Sequence, residues 1–299
     1  MTVNFTKYPS EHQGVPLLQR RNQVGIGVHD GLSAILASKH AFDFLWVSSF
    51  CSSAANGLPD AGLIGAEEML AAVRVIDRSS DLPIMVDLDS GYGDPAKVGH
   101  VVDAMVRGGA DALCIEDNPM SKRCSLYDGY ERLLATQQEH VDRLQAAREA
   151  IDALQSSCGL VARTEALVAG LGVAEALKRA SAYADVGADA VFVQSLDATG
   201  KEILDFCRAW EGRTPIVLAP TRLPTLSNQD LYAAGATHVI FANQGLRAAH
   251  EAMSRVFKEL AETGSAVEVN RTISPVAMVA SDVGADRLKE LDERLAAVK

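Results

Sequence analysis

Four carboxylates stand at the ends of two apolar runs. Asp87 and Asp89 close PIMVD and open the glycine-rich turn DLDSGYG, and Glu116-Asp117 ends the run begun by DALC. Like charges gathered in one place oppose each other's ionisation and cost stability unless a cation or a reaction needs them. With no lysine in DLDSGYGD, the oxygens of Asp87, Asp89 and Glu116 suit a hard cation such as Mg2+, which keeps several of its waters. The structural alternative is that both aspartates cap the next helix and Glu116 pairs with a surface lysine. Arg163 ends another run, in VARTEALVAGLG, where a guanidinium can clamp a carboxylate or phosphonate with two hydrogen bonds. Its alternative is a rim salt bridge with Glu165. Lys122-Arg123-Cys124-Ser125 sets two cations beside a thiol, which favours the thiolate, unless the segment is a solvated loop with an incidental cysteine. Gly170-Leu171-Gly172 lacks the third glycine of a dinucleotide fingerprint and is discounted.

These groups need strands to carry them. Short Val/Ile/Leu/Phe-rich runs occur at 23–28, 42–48, 83–87, 111–116, 159–163, 189–194, 215–219 and 237–243. Near-continuous apolar character over such lengths reads as parallel strand buried on both faces. Between them, 65–80, 95–109 and 173–187 repeat their apolar residues at helical intervals. Gly109, Gly187 and Gly235 each follow a helical stretch and precede a strand, as a helix C-cap would. Eight strands alternating with helices predict a (β/α)8 barrel, with a doubly wound open sheet as the alternative. No proline- or serine-rich linker divides the chain, so residues 1–299 read as one domain. Residues 265–299 form a C-terminal helical extension expected to pack on a neighbouring subunit. The connections after Ser48 and after Glu116 are long, and in a barrel they would be lids or substrate clamps.

The composition narrows the partners. A net charge of −11 over 299 residues argues against nucleic acid, which needs a basic face. It does not argue against a small anionic substrate, which responds to the local field. No apolar stretch of membrane-spanning length occurs, and MTVNFTKYPSEHQG carries no apolar leader core. The five cysteines form no C-x-x-C pair, so neither a zinc site nor a disulfide framework is expected, and a reducing cytoplasm is.

WVSSF…LPD, DLDSGYG, CIEDNPMSKRCSLYDG, VARTEALVAGLG, GADAVFVQS and FANQGLRA, in that order, resemble the phosphoenolpyruvate mutase/isocitrate lyase superfamily. The likeness runs from about residue 24 to about 255 and is strongest to the phosphoenolpyruvate mutase and phosphonopyruvate hydrolase branch. It implies a Mg2+-dependent (β/α)8 barrel that assembles as a homodimer or homotetramer by exchanging a C-terminal helix. By resemblance, Asp87, Asp89 and Glu116 hold the metal, partly through water, and Asp60 stands beside the reacting centre. Trp46, Ser48, Ser49, Phe50, Ser125 and Gln194 would line the substrate, Arg163 would bind its anionic group, and Lys122 would lie on a gating loop. The chain departs from the mutase signature at three points. Asn118 replaces its lysine, Cys124 the asparagine that would hold a transferring phosphoryl group, and Gln194 a histidine. Cys124 is instead lyase-like, as is Arg163-Thr164, although Ser125-Leu126 replaces the Gly-His that follows the lyase cysteine.

The chemistry expected is C–P bond rearrangement or hydrolysis on phosphoenolpyruvate or phosphonopyruvate, through an enolate that metal and Arg163 stabilise. The alternative is a C–C lyase or decarboxylase for a small 2-hydroxy or 2-keto diacid, with Cys124 as general acid. A third reading, a barrel that binds without catalysis, sits poorly with intact metal acids.

Overall fold

Every apolar run forms a strand. These are β1 (Gln23–Val28), β2 (Phe44–Val47), β3 (Ile84–Asp87), β4 (Ala112–Glu116), β5 (Gly159–Thr164), β6 (Ala190–Val193), β7 (Ile216–Leu218) and β8 (His238–Phe241). The computed structural model describes residues 15–127, 129–223 and 225–297. The segment read above for a leader, and residues 298–299 of the extension, lie outside them. All neighbouring strands are parallel, and β1 also pairs with β8, Val24 opposite Val239, which closes the barrel and excludes the open sheet.

The strands are apolar on both faces because both are covered. Phe44, Trp46, Met85, Cys114, Phe192 and Val217 pack together inside the barrel. Leu45, Val47, Val86, Leu113 and Leu160 pack in a second cluster with helix residues such as Val73, Val102 and Leu144. A 3₁₀ turn, Leu17–Gln19, adds Leu17 and Leu18 to the inner cluster. Its fit requires glycine at 159, where a Cβ would stand 2.4 Å from Leu18 Cδ1. His238 ties the turn down, with Nε2 3.1 Å from Leu17 O and Nδ1 2.8 Å from Thr237 Oγ1. Burial pushes its pKa down to about 4, so it is a neutral structural residue.

The barrel helices are α1 (Gly31–Ser38), α2 (Ser49–Ala55), α3 (Ala66–Asp77), α4 (Pro95–Arg107), α5 (Gln137–Ala153), α6 (Gly172–Asp185), α7 (Lys201–Ala209), α8 (Asn228–Ala233) and α9 (Gln244–Thr263). Helices α3 and α4 fall within the first two periodic stretches, and α6 begins one residue before the third. The turns into β4, β6 and β8 use Gly109, Gly187 and Gly235 at φ of 108°, 98° and 115°, which a side chain disfavours. Helix α2 was not expected, since the sequence after Ser48 reads as loop. Its cap is Ser48, whose Oγ accepts from Cys51 N at 3.2 Å. The extension holds α10 (Val276–Asp282) and α11 (Ala285–Ala296), and no side chain of α9, α10 or α11 is buried in this chain. Among the described residues no helix is long and apolar enough to cross a membrane.

Candidate active site

The acids meet at the mouth where the strands end. Asp87 is the last residue of β3, and its Oδ2 accepts from Ser49 Oγ at 2.8 Å. Asp89, two residues on, adopts a left-handed φ of 50°, which aspartate tolerates better than most residues. Neither aspartate caps α4. Asp94 does, accepting from Lys97 N at 3.1 Å, so both upstream carboxylates are left for other work. Glu116 ends β4 with no exposed surface. A cavity of ≈ 50 Å³ lies at this mouth, lined by Trp46, Ser48, Ser49, Phe50, Asp60, Asp87, Lys122, Cys124, Ser125, Arg163 and Gln194, together with Leu126, Phe192 and Asn243. Asp89 and Glu116 do not line it, but join it through Lys122.

Lys122 is the feature that residue spacing does not show. It lies on the long connection after β4, yet its side chain is only 4 % exposed. Its Nζ donates to Asp60 Oδ1 at 2.9 Å, to Ser49 Oγ at 3.0 Å and to Asp89 Oδ1, and stands 3.8 Å from Glu116 Oε1. Glu116 therefore has a lysine neighbour, but a buried one. Burial alone would lower the Lys122 pKa, but Asp89, Glu116, Asp60 and Asp87 outweigh it and hold the ammonium well above its ordinary value. For Asp89 burial wins over Lys122 and the other acids add to it, raising its pKa to about 7. Asp87 is likewise raised by burial. Glu116 is the exception. Burial opposes its ionisation, yet Lys122 and Arg163 together bring its pKa below the ordinary value.

Arg163 realises both readings of its position. Its Nε donates to Glu165 Oε1 at 2.6 Å and lies 3.3 Å from Glu116 Oε2. Its Nη2 faces the cavity's polar wall, donating to Gln194 Oε1 at 2.6 Å and Ser125 Oγ at 2.9 Å. The guanidinium also lies over the Phe192 ring, 5.0 Å from its centroid. The rim salt bridge thus holds one edge, while Nη2 keeps neutral partners and Nη1 stands 4.0 Å from Asp87 Oδ2.

Cys124 does not follow the thiolate expectation. It is buried, and burial first, then the Asp60 charge, pushes its pKa up to about 12. Arg123 does not oppose this, because its Nη1 turns to Lys122 O at 2.7 Å. Asp117 also leaves the acid group. Side chains alternate along a strand, so the residue after Glu116 points the other way. Asp117 accepts from Thr164 Oγ1, Glu165 N, Tyr183 Oη and Arg179 Nη1 at 2.8–3.1 Å and anchors the root of the loop. Glu165, expected as the rim partner of Arg163, also accepts from Ser125 Oγ at 2.6 Å. One further residue was not anticipated. Arg132 donates to the carbonyls of Arg123, Cys124, Ser125 and Tyr127, which binds the 123–127 turn into one unit.

The family model for phosphoenolpyruvate phosphomutase matches residues 17–261. Phosphonopyruvate hydrolase of Variovorax sp. (strain Pal2) is 34% identical over 273 residues, 90% of this chain and 92% of that protein. The chain belongs to the phosphoenolpyruvate phosphomutase family. Among solved structures, phosphoenolpyruvate phosphomutase from Streptomyces platensis subsp. rosaceus superposes with a TM-score of 0.87 at 34% identity, covering 92% of this chain and 94% of that one. Phosphonopyruvate hydrolase in complex with oxalate and Mg++ gives 0.84 at 32%, covering 91% and 93%. Lyases match as well, with 2-methylisocitrate lyase of Bacillus subtilis (strain 168) 31% identical over 247 residues, 81% of this chain and 78% of that protein. The chain is thus an enzyme of the mutase and hydrolase type, with lyases as its next relatives.

Whether Asp87, Asp89 and Glu116 fit a hard divalent cation can be tested on their chemistry. All three offer oxygen, and Glu116 Oε2 is buried without a hydrogen bond, 3.3 Å from its ion-pair partner Arg163 Nε. That combination suits Mg2+. The acids are nevertheless gathered about an ammonium. Among the described residues no three His, Cys, Asp or Glu side chains are arranged as a ligand set around one point.

Proposed function

We propose that the chain is a Mg2+-dependent enzyme acting on the C–P bond of phosphonopyruvate or phosphoenolpyruvate through an enolate. The observation that carries this reading is the meeting, in one buried cavity, of strand-end carboxylate, guanidinium and serine hydroxyls, in a chain of this family. Asp87, Asp89 and Glu116 would hold the metal, which when bound supplies positive charge against the developing enolate oxygen. Arg163 would bind the substrate's anionic group with Nη2, exchanging its neutral partners Gln194 and Ser125 for a stronger, charged acceptor. Ser48 and Ser49 would donate to the same anion, while Trp46 and Phe50 wall the site. The 122–126 segment would exclude bulk water, and admission of one water would separate hydrolysis from rearrangement.

Phosphorus NMR of the protein with Mg2+ and phosphonopyruvate tests this. The isomeric phosphate ester marks a mutase, and inorganic phosphate with pyruvate marks a hydrolase. Neither product from phosphonopyruvate or phosphoenolpyruvate would overturn C–P chemistry. Excess chelator should abolish turnover and Mg2+ or Mn2+ restore it, whereas full activity in chelator would overturn the metal assignment.

One observation favours a second reading. The Cys124 thiol lines the cavity beside Asp60 and stays protonated at neutral pH, so it could deliver a proton to the carbanion released from a broken C–C bond. Turnover of alkylmalates followed by proton NMR, without turnover of phosphonopyruvate, would establish the lyase. The assembly proposed is a homodimer or homotetramer joined through α9–α11, and the compartment is the cytoplasm, with which five free cysteines agree.

A further inference from the structure

A hollow of ≈ 560 Å³ lies at the end of the barrel where the strands begin, away from the carboxylates at the mouth. Gly159 at the start of β5, Pro215 and Thr237 just before β7 and β8, and Leu18 of the 3₁₀ turn form its walls. Three guanidiniums, Arg20, Arg21 and Arg148, line it against one carboxylate, Asp189. In a chain of net charge −11 that is a local excess of positive charge. We propose that this hollow is a second ligand site, which binds a small phosphate-bearing anion through Arg21, Arg148 and Ser156.

The charges around it are not equally committed. Asp189 Oδ2 accepts from Leu160 N at 2.7 Å and from Arg148 Nη1 at 3.0 Å, so the acid is held to the start of β5. Arg20 gives Nε and Nη2 to Val15 O at 3.0 and 2.9 Å, which braces the turn and keeps a positive charge in the wall. Arg148 Nη2 lies 2.9 Å from Asp152 Oδ1, but its Nε is buried without a hydrogen-bond partner. The Arg21 side chain is exposed and makes no hydrogen bond or ion pair among the described residues. Ser156 Oγ accepts from Cys158 N at 3.1 Å, which leaves its own hydrogen to donate. A buried N–H with no acceptor costs stability until a ligand accepts from it. A phosphate monoester suits these donors better than a carboxylate. It carries about two negative charges at neutral pH and three acceptor oxygens, enough for two guanidiniums and a hydroxyl. Pro16 and Pro215 give the hollow an apolar side for the organic part, and its volume is that of a small-molecule site. Chemistry in such barrels takes place at the opposite mouth, so a ligand here is an effector and not the substrate.

Hydrogen exchange read by mass spectrometry tests this, with inorganic phosphate titrated into the full-length protein at pH 8 and low ionic strength. Phosphate should slow exchange in segments 15–22 and 154–160, and chloride at matched ionic strength should not. Arg21 has no polar partner to lose, so Arg21→Gln should fold. It should raise the phosphate concentration that half-protects 154–160, a segment the substitution does not alter, at least about tenfold. Protection confined to residues 46–50 and 122–126 would put phosphate in the active-site cavity alone and overturn the proposal. Equal protection by chloride, an adventitious ion only, would overturn it too, as would an unchanged midpoint in Arg21→Gln. Malonate has similar charge without the tetrahedral group, and protection of 154–160 by less malonate than phosphate would overturn the phosphate assignment.

Discussion

Cys124 is the residue at which C–P and C–C chemistry part. In the C–P reading its thiol packs beside the transferring group and need not give up a proton. Serine keeps the size and a hydrogen-bond donor, so Cys124→Ser should retain turnover of phosphonopyruvate or phosphoenolpyruvate within about tenfold. In the lyase reading the thiol is a general acid, a role that typically contributes about 10²–10⁴-fold, and the same change should cost at least a hundredfold on an alkylmalate. Steady-state kinetics with fold checked by circular dichroism separates the two, and a collapse on phosphonopyruvate would contradict the milder expectation. The strand-end acids were legible because position at a strand end is a local property of sequence. The protonation of Cys124 was not, because Lys122 spends its charge on acids from three other segments, Asp60, Asp89 and Glu116. Asp117 could have been set aside from sequence, since strand alternation alone turns it from Glu116.

At the level of elements, the strands were readable because burial on both faces leaves a continuous apolar signature. Helix α2 was not, because SFCSSAA is short and serine-rich and only its Ser48 cap betrays it. The packing of α5 on α6 has its own testable consequence. His140 of α5 is fully buried edge-on to Tyr183 of α6, with ring centroids 4.5 Å apart, and neither ring nitrogen has a hydrogen-bond partner. Burial first, then Arg143 and Arg179, pushes its pKa down to about 3 from an ordinary 6.5. Between those values the unfolded chain binds a proton that the native state refuses. Stability from this residue is therefore intact above pH 6.5 and lost as pH falls towards 3. At pH 5 the loss amounts to about 2 kcal/mol. Phenylalanine keeps the ring and removes the titration, so urea denaturation of His140→Phe should show a smaller drop between pH 7 and pH 5 by about that amount. Equal drops in the two proteins would show that His140 does not titrate on unfolding.

The whole molecule ends in a surface that one chain leaves uncovered. Along α9, α10 and α11 and the turn between the last two, Phe257 is 64% exposed, Val276 85%, Val283 60% and Leu295 58%. Apolar side chains repeated over successive helices are an exposed patch of the kind that marks an interface. A hollow of ≈ 950 Å³ lined by Phe50, Ala54, Ala55, Leu246 and Met253 lies between α2 and the start of α9, on the same side as the active-site helix α2. Within the chain, the hydrogen bond from Lys39 to Asp282 ties α10 to the end of α1, which leaves its apolar residues outward. The extension was legible from sequence as amphipathic helix without a partner among the βα units, but the second chain proposed to cover it lies beyond any local pattern. Light scattering at micromolar concentration should give a dimer or tetramer mass, and a monomer would contradict the assembly. Deleting residues 270–299 should lower that mass, bare the hollow and the outer face of α9, and reduce solubility. The barrel itself should survive, because β1–β8 close without the extension. Circular dichroism of the truncated protein should therefore keep its α/β spectrum, and a truncated chain that stayed fully soluble with its mass per particle unchanged in subunit number would place the interface elsewhere.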